Sequence, residues 1–338
     1  TARAVKRVRA RHRLALTGTP IENRLAELWS IFDFLMPGLL GSYSSFRERY
    51  ELGIVGGDEA LSERLRRLVG PFVLRRLKAD VLTDLPDKLE SVVRVPLEGE
   101  QRKLYAASEQ RLREELNRQK KMNASRGKRS GAITDADVGP RVEGLAELTR
   151  LRQMALDPGL VFEDYRGGAA KLGAIMDLVE QARQSGQKML LFSQFTTFLD
   201  EVAQRLDEEG VAYYVLTGST PKKRRLQMVD AFNADDTPVF LISLKAGGTG
   251  LNLTGASVVV HADPWWNAAA QNQATDRAHR IGQKSDVSVY KVIAAGTIEE
   301  RIVELQQKKA DLADAVIGAA GAEQLSGLTR EQLLELLG

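Results

Sequence analysis

From Lys171 onward, short apolar runs alternate with segments of helical periodicity. Apolar runs of about four to eight residues between polar turn signals predict buried β-strands. These runs lie at 188–193, 211–216, 238–243, 257–262 and 287–293. Helical patterns fill the intervals at 171–185, 196–209, 221–233 and 267–280. Strands that alternate with helices of this length predict βαβ units, and therefore one parallel sheet with helices on its faces.

The first half of the chain has a different pattern. The pattern of residues 1–12 predicts a basic helix, and that of Arg13–Thr17 predicts a short buried strand. Apolar and polar residues alternate at 89–97, which predicts a further strand. Thr19-Pro20-Ile21-Glu22 is a capping box with proline at the first helical position, so a helix begins there. A helical stretch is predicted at 22–83, with breaks at Pro37-Gly38 and at 53–57. A charged helix at 99–120, a mobile insertion at 121–140 and a helix at 141–157 follow. The end of the chain, 297–338, is predicted to be helical, with capping boxes at Thr297/Glu300 and Thr329/Gln332.

Composition excludes several classes of site. The chain has no cysteine, which excludes disulfides and thiolate metal sites, and its three histidines (His12, His261, His279) lack zinc spacing. There is no apolar run of the length that a membrane span needs, and the basic start lacks the apolar segment of a secretory signal. We therefore expect no membrane partner and a cytoplasmic location, nucleoid-associated if the cell is prokaryotic.

Basic residues are concentrated in two places although the net charge is only +3 and the pI is about 9.0. Residues 1–13 and 118–129 each carry six Lys or Arg residues and no acid. Clusters of this kind can neutralise the phosphates of a nucleic acid. A solvated helix face or a loop is the alternative interpretation.

Ligands of a parallel sheet bind at the carboxyl ends of its strands. The loops that follow four of the predicted strands are Ser193–Phe195, Thr217–Pro221, Lys245–Asn252 and Asp263–Asn267. Each is rich in small, hydroxylated or amide residues and leads into a helix, whose first backbone N–H groups bind anions well. The four loops together predict a surface that tracks phosphates.

Three of the motifs each have a structural alternative. Gly247-Gly248-Thr249-Gly250 allows a close approach of backbone to ligand, but it also fits an ordinary turn. Trp265-Trp266 could stack on a nucleic acid or fill a core. Thr17-Gly18-Thr19 could lie beside a nucleotide or simply cap a helix. The pattern Gly-x-x-x-x-Gly-Lys-Ser/Thr does not occur in the 338 residues, nor does an Asp-Glu pair that closes a buried strand and could hold magnesium.

The segment 273–283 points to the chemistry. Read as a helix, it places Gln273, Arg277 and Arg280 at i, i+4 and i+7 on one face. Two guanidinium groups side by side suit a polyanion whose charge grows during reaction, such as the γ-phosphate of a nucleoside triphosphate. A solvated basic helix is the alternative. His279 is interpreted as a structural hydrogen-bond donor.

In chain order, these stretches resemble the Swi/Snf family of DNA translocases in helicase superfamily two. Leu16–Asn23 is similar to the family's third motif, and Phe192–Phe195 is similar to the fourth. Ser243–Asn252 resembles the fifth motif, and Gln273–Gln283 resembles the sixth. Segments within 28–88 resemble its helical protrusion, and Leu151-Arg152-Gln153 through Pro158 resembles the opening of its second lobe. The chain departs from the family pattern at Met154–Asp157 and at Ala268, where the family usually has Ile-Cys-Asn-His and proline.

The resemblance implies an α/β fold: a RecA-like parallel sheet, the helicase C-terminal lobe, preceded by the tail of a first RecA-like lobe with a helical insertion. The implied division is 1–98 for that tail with its protrusion at about 24–84, 99–168 for a linker with a basic loop at about 121–140, 169–300 for the second lobe, and 301–338 for C-terminal brace helices. The family's P-loop and Asp-Glu-x-His motifs lie upstream of the third motif. We therefore expect the chain to begin after both, to need the N-terminal RecA-like lobe as partner, and to bind DNA without hydrolysing ATP alone.

The resemblance also implies the roles of individual residues. Arg277 and Arg280 would be arginine fingers and Gln273 would orient them, with ATP and Mg²⁺ as cofactors of the full-length enzyme. The implied ATP-cleft residues are Thr17, Gly18, Thr19, Gly248 and Gly250. The candidate contacts to double-stranded DNA are Ser193, Gln194, Ser219, Thr220, Lys245, Thr249, Trp265 and Trp266. A DNA-bound protein complex, as in chromatin remodelling, would be a further partner.

Two rival functions remain open from the sequence. A non-enzymatic nucleic-acid-binding module on a RecA-like sheet would keep the basic clusters but would not use the face formed by Gln273, Arg277 and Arg280. A sugar-nucleotide transferase with two Rossmann-like halves would bind a nucleotide sugar without DNA.

Overall fold

The computed structural model describes residues 2–8, 10–17, 25–74, 82, 84–125, 135–247 and 250–317. The chain divides into two compact units. The first contains Thr1–Val81, Trp266–Ala269 and Glu304–Gly327, and the second contains Leu82–Trp265, Ala270–Val303 and Leu328–Gly338.

The first unit is helical in its described part. Its helices are α1 (Ala2–Val5), α2 (Leu25–Leu35), α3 (Tyr43–Phe46), α4 (Leu52–Val55) and α5 (Glu59–Val69), with a π-helical turn at Arg47–Glu51 and a 3₁₀ turn at Gly70–Phe72. Leu28, Phe32, Phe46 and Leu65 form its core and are 0–2% exposed. The carboxylate of Asp58 caps α5 by accepting the backbone N–H of Leu61 at 3.0 Å. The predicted helical stretch is confirmed over 25–72, with breaks at 36–42 and at 56–58. The second break is shorter than predicted because 53–55 are helical, and residues 73, 74 and 82 are not helical.

Two predictions near the start of the chain are wrong. The basic helix ends at Val5 rather than near residue 12, and a turn follows at Lys6. Residues 13–17 form no strand, and Leu14 and Leu16 are 88% and 100% exposed. An apolar run becomes a strand only where a neighbouring strand completes its hydrogen bonds, and all six described strands belong to the second unit. The capping box at 19–22 lies outside the described residues.

The second unit contains a parallel sheet of six strands in the order β1-β6-β5-β2-β4-β3. The strands are β1 (Lys88–Pro96), β2 (Met189–Ser193), β3 (Tyr213–Leu216), β4 (Val239–Ser243), β5 (Val258–His261) and β6 (Val287–Ala295). All described pairings are parallel, and every residue of β2, β4 and β5 is buried. The five strands predicted from apolar runs are thus confirmed, with ends that shift by two residues at most.

Helices pack on both faces of this sheet. The helices that follow α5 along the chain are α6 (Gly99–Ser125), α7 (Asp135–Leu156), α8 (Ala170–Gln184), α9 (Thr196–Glu208), α10 (Lys222–Ala234), α11 (Leu244–Gly247), α12 (Ala268–Thr275) and α13 (Ile298–Ile317). Val179 of α8 and Phe198 of α9 pack with Leu191 in one apolar cluster, while Phe232 of α10 packs with Phe192 and Phe240 in the other. Alternate residues of the central strands therefore face opposite layers, as in the predicted RecA-like α/β fold.

Strand β1 joins the sheet of the second unit. Lys88–Pro96 pairs in parallel with β6 as an edge strand of that sheet, while the predicted domain division at residue 98 stays a prediction. The carboxylate of Glu90 lies 2.7 Å from the ammonium groups of both Lys88 and Lys291, and hydrogen bonds from these lysines hold its pKa near 2 against the effect of burial. An alternation of apolar and polar residues predicts a strand, but it does not indicate which sheet the strand joins.

Two further boundaries differ from the predictions. Helix α6 continues to Ser125 and α7 begins at Asp135, so the predicted insertion at 121–140 is helical at both ends, and 126–134 lie outside the described residues.

At the start of α13, the Thr297 hydroxyl accepts the N–H of Glu299 and the Glu300 carboxylate accepts the N–H of Gly296, so the predicted cap is confirmed. The capping box at Thr329/Gln332 lies outside the described residues. Within the described part of the chain, the helices are all too short or too polar to cross a bilayer.

The paired carboxyl groups of Asp157 and Glu201 generate a pH prediction. Burial, the charge of Asp157 and a hydrogen bond to it raise the pKa of Glu201 from 4.5 to about 8. Between these two values the folded chain keeps a proton that the unfolded chain releases, so stability falls as pH rises through this window. Glu201→Gln removes the titration, so we expect the variant to gain stability relative to wild type on going from pH 5 to pH 8.5, measured by urea unfolding.

The control for this prediction is Glu180→Gln on the outer side of α8, where Glu180 pairs with Arg183 at the surface. The control should keep a constant offset from wild type at the two pH values. A constant offset for Glu201→Gln as well would contradict the proposed titration.

Candidate functional site

The loops that follow β2 and β5 meet at the carboxyl edge of the sheet through one buried carboxylate. Oδ1 of Asp263 accepts the Ser193 hydroxyl at 2.6 Å and the Gln194 N–H at 3.2 Å. Ser193 is only 2% exposed, so its hydroxyl bonds inward, whereas Gln194 is half-buried. The two predicted DNA contacts in this loop therefore differ: Gln194 lies partly at the surface, and Ser193 fastens one loop to the other.

The loop after β3 is ordered by its own hydroxyl groups. Thr220 Oγ1 accepts the N–H of Thr217 at 3.1 Å, and the hydroxyls of Thr217 and Ser219 share a hydrogen bond of 2.8 Å. Ser219 is exposed and Thr220 is half-buried. These bonds stabilise a compact turn that presents backbone N–H groups and the Ser219 side chain at the start of α10.

Sequence reasoning missed three cations beside this turn. Lys222, Lys223 and Arg224 open α10 and are all exposed, and they directly follow the loop that was singled out. The signal in the sequence is the run of four basic residues Lys222–Arg225, which is shorter than the two basic clusters at 1–13 and 118–129. A cationic first turn with exposed N–H groups strengthens the site's preference for anions.

The structure describes two of the predicted site residues in the loop after β4, Lys245 and Gly250. Lys245 is exposed on α11, and Gly250 has a φ of +49°, in the left-handed region that a side chain would disfavour. Gly248 and Thr249 lie outside the described residues. Of the predicted ATP-cleft residues in the first unit, Thr17 is exposed, and Gly18 and Thr19 lie outside the described residues.

The two tryptophans after β5 have different environments. Trp265 is half-buried, packs against the apolar cluster of Phe232 and Phe240, and donates its backbone N–H to Gln271 Oε1 at 3.2 Å. Trp266 is 7% exposed, which agrees with the core-filling alternative for that ring. Only Trp265 offers part of its side chain to a ligand in this conformation.

The predicted helix at 267–280 ends early. Helix α12 stops at Thr275, and the N–H groups of Arg277 and Ala278 bond to carbonyls three residues back, at 3.1 Å each. The Arg277 carbonyl instead accepts the N–H of Leu253 at 2.9 Å. The tertiary bond and the tighter turn replace the helix, so Gln273, Arg277 and Arg280 do not share one helical face.

The arginines are nevertheless close in space. Arg277 is 8% exposed, and its pKa is lowered by burial and then by the charge of Arg280, with Asp276 acting in the opposite direction. Arg280 is half-buried and donates to the Leu251 carbonyl at 3.2 Å. Gln273 is exposed on α12. A pair of mutually repelling cations stabilises a bound anion, because the anion relieves their repulsion.

Two histidines support this segment. His261 is buried at the end of β5 and shares a hydrogen bond of 2.9 Å with Thr275 at the end of α12. Burial lowers its pKa to about 3, so it is neutral at physiological pH. His279 Nε2 lies 2.9 Å from the carbonyl of Pro86, which confirms the predicted structural donor.

Family models match most of the chain. One described as "SNF2-related domain" covers residues 1–160, and one described as "Helicase conserved C-terminal domain" covers 170–282. A solved structure, the Sulfolobus solfataricus SWI2/SNF2 ATPase core in complex with dsDNA, is 33% identical with a TM-score of 0.57. The match covers 99% of this chain and 68% of that one. The chain belongs to the SWI2/SNF2 family.

Curated relatives of this SWI2/SNF2 chain come from bacteria and eukaryotes. A putative ATP-dependent helicase/translocase of Bacillus subtilis is 38% identical, with 99% of this chain and 35% of that protein aligned. An uncharacterised ATP-dependent helicase of Mycoplasma pneumoniae is 37% identical, with 99% and 30% aligned. The chain thus spans about a third of the length of these relatives.

Proposed function

We propose that this chain is a motor segment of an ATP-dependent translocase on double-stranded DNA. It would contribute arginine fingers to ATP hydrolysis and a set of loops that grip the DNA backbone. The observation that carries the proposal is the Arg277 and Arg280 pair, in which Arg277 is buried and its pKa is lowered first by burial and then by the charge of Arg280. The named relatives that are ATP-dependent helicases and the solved core bound to dsDNA support the same reading.

The residues present fit the phosphate end of a nucleoside triphosphate. Repulsion between the two guanidinium groups would be relieved by a phosphoryl group, and most of all as its charge develops. In the family the P-loop lobe holds the remaining phosphates and Mg²⁺, and we propose that such a lobe completes the site. ATP supplies the free energy of the cycle, while Arg277 and Arg280 would orient and stabilise its transferring group.

The DNA-binding surface proposed here combines the loop at 217–221 with the cations of α10. Ser219 and the exposed Lys222, Lys223 and Arg224 would bind phosphates, with Gln194 and Lys245 as further contacts. Contacts of this kind follow the backbone and carry no sequence information. The surface therefore suits a motor that moves along DNA of any sequence.

The first prediction concerns the arginine fingers, in a protein that joins a P-loop lobe to this chain. Arg277→Ala and Arg280→Ala should each lower the DNA-stimulated kcat by about 10³-fold or more, the range typical of arginine fingers. The affinity for duplex DNA should stay within a few fold, because neither residue is assigned to the phosphate-binding surface. Steady-state ATPase assays and fluorescence anisotropy measure the two quantities.

The control for the fingers is Arg183→Ala, which removes an exposed arginine paired with Glu180 on α8. It should keep the wild-type kcat. Because Arg277 is buried, circular dichroism must show that its variant is folded, and the half-buried Arg280 provides the second test. Near-normal turnover in both folded variants would refute the finger assignment and favour a non-enzymatic DNA-binding module.

The second prediction concerns the cations of α10. The triple variant Lys222→Ala/Lys223→Ala/Arg224→Ala should weaken duplex binding equally for DNA of different sequences. Its plot of log affinity against log salt should become shallower by up to about 2.7, since each lost phosphate contact removes about 0.9 from the slope. Anisotropy titrations at several salt concentrations test both effects.

A charge-matched control is available in the same unit. Arg150→Ala/Arg183→Ala/Arg205→Ala also removes three exposed cations, each of which lies within 3.2 Å of a glutamate. This variant should keep most of the affinity and the slope. If both triple variants lose the same amount, the effect is one of net charge and the proposed surface is wrong.

A further inference from the structure

Asp263 is the centre of a buried clamp in the second unit. Besides the Ser193 hydroxyl and the Gln194 N–H on Oδ1, its Oδ2 lies 3.4 Å from Nη2 of Arg152. The same Nη2 donates to the Pro264 carbonyl at 2.6 Å. The side chains of Arg152 and Asp263 are 3% and 1% exposed. One ion pair therefore joins a helix, α7, to the two loops that follow β2 and β5.

An aromatic contact also connects Arg152 to the loop that follows β2. The guanidinium of Arg152 lies 5.5 Å from the ring centre of Phe195, within the range of a cation–π interaction. The Ser193 hydroxyl also accepts the N–H of Phe195 at 3.1 Å. The loop is thus fixed by its side chains as well as by its backbone, between the end of β2 and the start of α9.

A clamp of this composition is costly. Burial lowers the pKa of Arg152, while the charges of Asp263 and Glu299 oppose the shift and keep the guanidinium ionised. Apolar residues of similar volume often replace buried ion pairs without loss of stability. The pair is therefore better explained by the geometry that it imposes than by the stability that it adds.

We propose that Arg152 and Asp263 are positioning residues that set the two loops for binding to the DNA backbone. The proposal rests on the function proposed above. Gln194 and Trp265 are half-buried residues of these loops, as are Phe195 and Asn267. Gln194 directly follows Ser193, and Trp265 directly follows Pro264, the carbonyl acceptor of Arg152. Neither Arg152 nor Asp263 reaches the surface, so they act through the loops.

The same unit contains a matched control pair. Lys171 and Glu299 are 2.7 Å apart and both side chains are 0% exposed. Glu299 also accepts the N–H of Ala294 at 2.8 Å, so this pair ties α8 to the end of β6 and the start of α13. It is buried as deeply as the clamp, and its hydrogen bonds are made at a different part of the sheet. Because the charge of Glu299 also acts on Arg152, the control substitution is made at Lys171.

The experiment compares Asp263→Asn and Arg152→Lys with Lys171→Met, which leaves the charge of Glu299 in place, all in the full-length protein. At a temperature where circular dichroism shows every variant folded, the clamp variants should bind duplex DNA about tenfold more weakly, an effect typical of residues that orient ligand-binding groups. The control variant should stay within about threefold. An equal loss in the clamp variants and in the control at equal stability would overturn the proposal.

A double variant separates geometry from stability. Arg152→Met/Asp263→Leu replaces the buried ion pair with an apolar pair, so its melting temperature should recover relative to the single variants. Its DNA affinity should stay about tenfold reduced, because the bonds to Ser193, Gln194 and Pro264 are not restored. If affinity recovers together with stability, the clamp is purely structural.

Hydrogen exchange provides a readout that does not depend on DNA. The amides of Gln194 and Trp265 should exchange about tenfold or more faster in the clamp variants than in the Lys171→Met variant. Failure of the wild-type protein to bind DNA would refute the proposed function alone, since the exchange comparison still tests loop positioning. Unchanged exchange at both amides would refute the clamp.

Discussion

Parallel pairing of β2 with both β4 and β5 is the constraint on which the site depends. Because the three strands run in one direction and are fully buried, their carboxyl ends lie at one edge, and every loop that leaves them begins there. The strands are short, four or five residues each, so small changes in register would displace the loops. Apolar packing on both faces prevents such changes.

The sequence predicts this sheet well because the burial of its central strands is complete. A strand buried on both faces is apolar at most of its positions, and a run such as Val258-Val259-Val260 is typical of such a strand. β1 is different, since its alternating pattern predicts a half-exposed strand but contains no information about its neighbour. Its placement beside β6 depends on a contact between residues about 200 positions apart, such as Lys291 with Glu90.

The candidate site is predictable in its residue types but not in its geometry. Arg277 and Arg280 were identified from a helical spacing that the structure replaces with a turn, and they are close because loop residues Leu251 and Leu253 hold them. Ser193 was predicted to contact DNA from the loop after its strand, yet its hydroxyl bonds to Asp263, which is buried and 70 residues away. Local patterns indicate which groups are present, whereas long-range hydrogen bonds decide which way they face.

Buried charge plays opposite roles at the two ends of this site. In the clamp, the charge of Asp263 opposes the effect of burial on Arg152, and the Pro264 carbonyl accepts a hydrogen bond from the same guanidinium, so helix α7 is joined to the loops. At the sixth motif, a second cation adds to the cost of burying Arg277, and Asp276 opposes it only in part. The first arrangement favours one fixed conformation, while the second is relieved by an incoming anion. In the proposed motor the two arrangements would act together, because the fixed loops would hold the DNA while the arginine pair would respond to the state of the nucleotide.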